Sequence, residues 1–150
     1  KQFSENKIKF FKQMRKSWYI AAFQLPALAP TVWQFFHPEQ WLQVVMRLER
    51  DQDIPVNPNI RKDGRYGVNL YRANFMPRLL KPRQRYAICP VQAIVLKYDQ
   101  FVDAELIDEM PRWVDDFQPV ELAANHWAIL SQPQAVATAI RDFAYKHENQ

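Results

Sequence analysis

Apolar residues spaced three and four apart open the chain. Behind Ser4, a good N-cap by type, Ile8, Phe11, Met14, Trp18 and Ala21 form one stripe of an amphipathic helix that must end before Pro26. From Leu25 to Pro38, Pro26, Pro30 and Pro38 make the segment read as a loop. "HPEQWLQVVMRLER" puts Pro38 at a first helical position and sets Trp41, Val44, Val45 and Leu48 on one side of a second helix. Residues 51 to 65 are polar and carry prolines, as a connection does. "GVNLYRANF" predicts a short helix from about Val68, closed by Pro77. No strand pattern precedes residue 85.

The period then changes. "CPVQAIVLKYD" is a nearly continuous apolar run rich in Val and Ile, as in a strand buried on both faces. A helix over Asp103 to Met110 follows, and "QPVELAAN" is a second short strand. Ser131 and Pro133 open a last helix, with Val136, Ile140 and Phe143 inward and Ala139 between them. Strands separated by a helix pair in parallel, and two strands alone make no stable sheet. The second half therefore reads as the edge of a doubly wound α/β sheet whose other strands lie elsewhere. The first half reads as an all-helical insertion.

Composition removes several alternatives. An apolar fraction of 48% supports a sizeable core. The length suits one domain or a piece of a longer chain, and a first residue Lys1 rather than Met suggests the latter. Gly64 and Gly67 are the whole glycine complement, so a phosphate-cradling loop, a dinucleotide fingerprint and a nucleophile elbow cannot be written here. The net charge of +4 gathers at Lys7 to Lys16 and Arg78 to Arg85. Such runs can footprint nucleic acid, but a solvated helix face and linker explain them, so no nucleic-acid partner is expected. Cys89 alone cannot form an internal disulfide, which favours a reducing, cytoplasmic setting. It reads as a small buried hydrophobe entering a strand rather than a catalytic thiol. His37, His126 and His147 lack ligand spacing, so no metal is expected. No apolar run is long enough to span a bilayer, and no signal peptide is visible.

In open α/β sheets, working residues sit at the C-terminal ends of strands. Asp99 follows "AIVLKY" at one such end and His126 follows "VELAAN" at the next. An acid and a histidine on adjacent exits can reach each other, the acid orienting the imidazole so that its other nitrogen acts as a base. On spacing alone, a helix-capping aspartate and a satisfied loop histidine are the commoner fates of these residues, and the spacing favours that reading.

The local words go further. "YDQFVD" followed by "ANHWAILSQPQAVATAIRDF" resembles the closing part of an α/β-hydrolase, with the acid turn before the histidine turn. "SWYIAAFQLP" and "NLYRANF" resemble cap-domain motifs of the epoxide hydrolase branch, shared in part by haloacid and haloalkane dehalogenases. The resemblance runs from about residue 10 to 145. It implies a helical cap over residues 1–82 and the C-terminal part of the hydrolase core over 83–150. It also implies an aspartate nucleophile in a preceding half, beyond this segment. Tyr19 and Tyr71 match the two cap tyrosines that donate hydrogen bonds to the epoxide oxygen. A phenol stays protonated at neutral pH and can stabilise a developing alkoxide. Without the family words, both tyrosines read as core aromatics with wetted tips. Trp18, Phe23, Phe75 and Trp127 would line an apolar pocket for a small epoxide-type substrate, with no cofactor or metal. The family usually carries glycine three residues before the acid and one before the histidine, where this chain has Leu96 and Asn125. A haloacid or haloalkane dehalogenase, a serine esterase of the same fold, and a non-catalytic interaction module remain alternatives.

Overall fold

A computed structural model describes residues 11–51 and 53–148, and Ser4 and Ile8 lie outside them. Packing divides the chain into two compact units, with the break between Arg83 and Gln84. Every regular element among the described residues of the first is a helix. Residues 11–16 are helical, Ser17 makes a turn, and α1 (Trp18–Phe23), α2 (Leu28–Phe35), α3 (Pro38–Glu49) and α4 (Ile60–Leu80) follow.

The expected first stripe faces the wrong way. Phe11, Met14 and Trp18 are 69%, 49% and 71% exposed, and the same short helix buries Ile20 and half-buries Tyr19 and Phe23. The turn at Ser17, whose hydroxyl accepts a 2.8 Å bond from Gln13, breaks the helical phase on which the stripe depended. The proline-rich loop is also corrected, since it contains α2. Pro30 falls in that helix's first turn, where no intrahelical acceptor exists for its missing N–H. Helix α3 runs as expected from Pro38, but Val44 is exposed and Val45 supplies the buried contact.

Helix α4 departs most from expectation. It begins at Ile60 rather than Val68, passes both glycines, and continues through Pro77 to Leu80. Tertiary packing explains the early start. Ile60 and Val68 are both buried, and α2 packs on α4 through Gly64, over which the Trp33 ring lies. Trp33 is itself held against Phe36 and Trp41, with centroids 5.3 Å away in each case.

This contact predicts opposite signs for two like substitutions. At Gly67 an added methyl meets nothing within 4 Å, so Gly67→Ala should gain about 0.5–1 kcal/mol from helix propensity. At Gly64 the methyl would overlap the wedged Trp33 ring, and overpacking of about 1–3 kcal/mol should outweigh the same gain. Urea midpoints of the two variants should move apart. Equal shifts would mean that α2 and α4 do not meet through Gly64.

The second unit is a small α/β arrangement. β1 (Val91–Leu96) pairs in parallel with β2 (Phe117–Leu122), in register Val91↔Phe117 to Leu96↔Leu122. A 3-10 helix (Ala104–Arg112) connects them where a regular helix was expected. A short α5 (Ala128–Ser131) leads into α6 (Pro133–His147). Val95, Val114, Ala124, Ala128 and Ala139 form the buried core. β1 is half-buried along most of its length rather than buried on both faces, because this sheet has only two strands among the described residues. Ile140 is exposed rather than inward, leaving Ala139 to face the core, and Cys89 is exposed rather than buried. Helices with a small parallel sheet are compatible with part of an α/β fold preceded by a helical cap. No helix among the described residues is long and apolar enough to cross a membrane.

Candidate functional site

In the second unit, the parallel ladder brings two turns together. Beyond the strands themselves, Lys97 donates its N–H to Leu122 O at 2.9 Å, and Tyr98 donates to Ala124 O at 3.0 Å. These bonds tie the exit of β1 to the exit of β2. Asp99 stands on the first exit and His126 on the second. His126 Nδ1 donates to Asp99 Oδ2 at 2.8 Å. The other carboxylate oxygen accepts N–H bonds from Phe101 at 2.7 Å and Val102 at 3.0 Å. Both oxygens are therefore held, and the Asp99 side chain is only 8% exposed.

That arrangement fixes the imidazole chemically. An acceptor facing Nδ1 puts the proton there and leaves the Nε2 lone pair to accept another. The His126 side chain is 36% exposed, in contrast to the buried carboxylate that holds it. Phe101 and Trp127 pack against the ring with centroids 4.8 and 4.9 Å away. They limit its rotation on an apolar wall. Leu96 and Asn125 do not need to be glycine here, because Arg50 alone among the described residues has a positive φ outside glycine.

In the first unit, Tyr19, Phe23 and Tyr71 form one aromatic group. Tyr19 lies 6.4 Å from Tyr71, and Phe23 sits 5.5 Å from the first and 5.2 Å from the second. All three pairs meet edge to face, the favoured geometry for such rings. Tyr19 and Phe23 share a face of α1 as i and i+4, and Tyr71 comes from α4. Phe75 lies one turn beyond Tyr71 and lines a cavity of about 550 Å³ with Leu70, Tyr71, Asn74, Arg78 and Leu79. Trp18, on the same short helix as Tyr19 and Phe23, is largely exposed.

The structure thus assembles two groups, Asp99 with His126 and Trp127 in one unit, and Tyr19 with Phe23, Tyr71 and Phe75 in the other. Phe101 was not singled out from sequence, though it both stacks on His126 and donates to Asp99. Its signal was the apolar residue two places after the acid, where an aspartate commonly turns the backbone back on itself. Among the described residues, no three His, Cys, Asp or Glu side chains gather as a metal site would require.

Fold and site together define a class only coarsely: a helical unit, and an α/β unit carrying an acid–histidine pair at adjacent strand exits. No protein-family profile matches the chain. Proteins named "Probable oxidoreductase EphD" from Mycobacterium bovis and Mycobacterium tuberculosis are 30% identical to it over 135 residues. The match takes in 84% of this chain and 22% of those proteins, so the chain spans about a fifth of the length of the curated relatives it matches.

Proposed function

We propose that this chain supplies the cap and C-terminal core of an α/β-hydrolase of the epoxide hydrolase type. The observation that carries the reading is the 2.8 Å bond from His126 to a buried Asp99 at consecutive exits of a parallel strand pair. The cap-like words around Tyr19 and Tyr71, and the meeting of those two rings, support it further. In this reading residues 1–82 are the cap and residues 83–150 belong to the core.

The reaction proceeds in two covalent steps. A carboxylate upstream of Lys1 attacks a ring carbon and forms an ester bond while the ring C–O bond breaks. The oxygen released as alkoxide takes a proton from Tyr19 or Tyr71. His126 Nε2, oriented through Nδ1 by Asp99, then removes a proton from water, and the hydroxide adds to the ester carbonyl. The diol departs with the proton that the imidazolium held. The regenerated acid gives up its own proton, which returns through solvent to the phenolate. Trp18, Phe23 and Phe75 of the first unit and Trp127 of the second are the residues that would offer apolar surface to the substrate.

The relatives carry the word oxidoreductase in their name, and this chain corresponds to 22% of their length. Gly64 and Gly67 both lie within α4 and cannot form a Gly-x-Gly-x-x-Gly turn. A dinucleotide site of that type is therefore not written in this stretch.

Isotope labelling tests the ester step. With the full-length protein in excess over a simple epoxide in ¹⁸O-water, the diol from the first turnover should lack ¹⁸O, because its new oxygen comes from the carboxylate. Heavy oxygen in that first diol would mean direct attack by water. Turnover of simple esters without any diol would instead favour the serine esterase.

A further inference from the structure

Two features near the start of the first unit have no part in the core of that unit. The first is apolar. Phe11, Met14, Trp18 and Ala21, spaced three and four apart, are all exposed, although the same stretch buries Ile20 and half-buries Tyr19 and Phe23. The second is charge of one sign. Lys12 and Arg15 stand exposed among these apolar residues, and Lys16 is half-buried. From Asn6 to Pro38 the sequence has Lys7, Lys9, Lys12, Arg15 and Lys16 and no acid at all. A face that is only solvated mixes both signs, and this one does not.

We propose that this segment docks on an anionic lipid surface, where Phe11 and Met14 enter the interface and Lys12, Arg15 and Lys16 meet the headgroup phosphates. Apolar and aromatic residues interleaved with lysine and arginine are the pattern of a segment that lies in a membrane interface. Lysine suits that place, because its methylenes lie along apolar surface while the ammonium reaches the headgroups. A protein partner fits the same residues poorly, since the centres of protein interfaces are depleted in lysine. The segment lies on the surface and does not cross it: no helix among the described residues is long and apolar enough to span a bilayer. The docking is independent of the epoxide chemistry, and it stands or falls separately.

The test is flotation of the full-length protein with vesicles of phosphatidylcholine alone, or of phosphatidylcholine and phosphatidylglycerol in equal parts. The protein should float with the anionic vesicles and not with the neutral ones, and raised salt should release it. Lys12→Gln, Arg15→Gln and Lys16→Gln together should weaken binding about a hundredfold, because each cation near such a surface contributes about fivefold. Phe11→Ser with Met14→Ser should weaken it about tenfold and leave the melting temperature in place, since both side chains are already exposed. Trp18 stays intact in every variant, because the proposed reaction also draws on it. Val44→Ser with Arg47→Gln, both exposed on α3, should change nothing. Failure to float with anionic vesicles, equal binding to neutral ones, or unchanged binding in either segment variant overturns the docking. So does an equal loss in the α3 variant. A lowered melting temperature in Phe11→Ser with Met14→Ser would mean that another part of the protein covers the stripe, and the docking falls. Tighter binding to a single-stranded oligonucleotide than to anionic vesicles would make the partner a nucleic acid, with the same consequence.

Discussion

His126→Gln in the full-length protein should trap the substrate on the enzyme as a stable ester. The substitution removes the base for water and leaves the upstream nucleophile untouched, so alkylation proceeds while hydrolysis slows by about a hundred- to ten-thousandfold. Intact-protein mass spectrometry after mixing with an epoxide should find each molecule heavier by the mass of one substrate. Asp99→Asn should act in the same direction. Asp99 meets the ring through Oδ2 while Oδ1 is committed to Phe101 and Val102, and an amide in its place no longer dictates which ring nitrogen carries the proton. Ester should then persist for longer than in wild type, although the imidazole is still present. Absence of any adduct in His126→Gln would remove the ester mechanism. An adduct in His126→Gln with wild-type turnover in Asp99→Asn would leave the aspartate a structural turn residue.

The second large effect concerns the phenols. Tyr19→Phe and Tyr71→Phe should each slow alkylation by roughly ten- to a thousandfold, the range for loss of one donor to a developing oxyanion. Either hydroxyl can still polarise the oxygen when the other is missing, so the double variant should be nearly inactive. Its loss need not equal the product of the single losses, because both donors act on one atom. The rings themselves stay. Phe23 sits between 5.2 and 5.5 Å from both, and that edge-to-face packing does not depend on the hydroxyls. Melting temperatures should therefore move little. Unchanged single-turnover rates with a lowered melting point would make the tyrosines packing residues and remove the epoxide assignment.

Much of the second unit was legible before folding, because its signals are local and agree with one another. A β-branched apolar run, an intervening segment and a second such run imply a parallel pair, and parallel pairing puts both strand exits at the same edge. That alone brings Asp99 and His126 into one neighbourhood, and the bonds from Lys97 and Tyr98 complete their approach. Pro38 likewise announced the start of α3 through its own fixed φ.

The first unit was legible only in part. Its decisive signals belong to pairs of elements and to no single stretch. Gly64 lowers helix propensity where it stands, so local reading starts α4 too late. Only the Trp33 ring on the facing helix explains why a glycine is useful there. Pro30 reads as a loop residue until its position in a first turn is known. The stripe from Phe11 to Trp18 has perfect local spacing, yet the turn at Ser17 and the packing of α1 leave it outside. Tyr71 meets Tyr19 for the same kind of reason, since a ring contact between distant helices has no local period. Sequence by itself determined the two strands, the start of α3 and which residue types stood at the strand exits. Tertiary structure decided which faces were buried and which aromatic rings met, because burial is a property of two surfaces and each stretch of sequence describes only one.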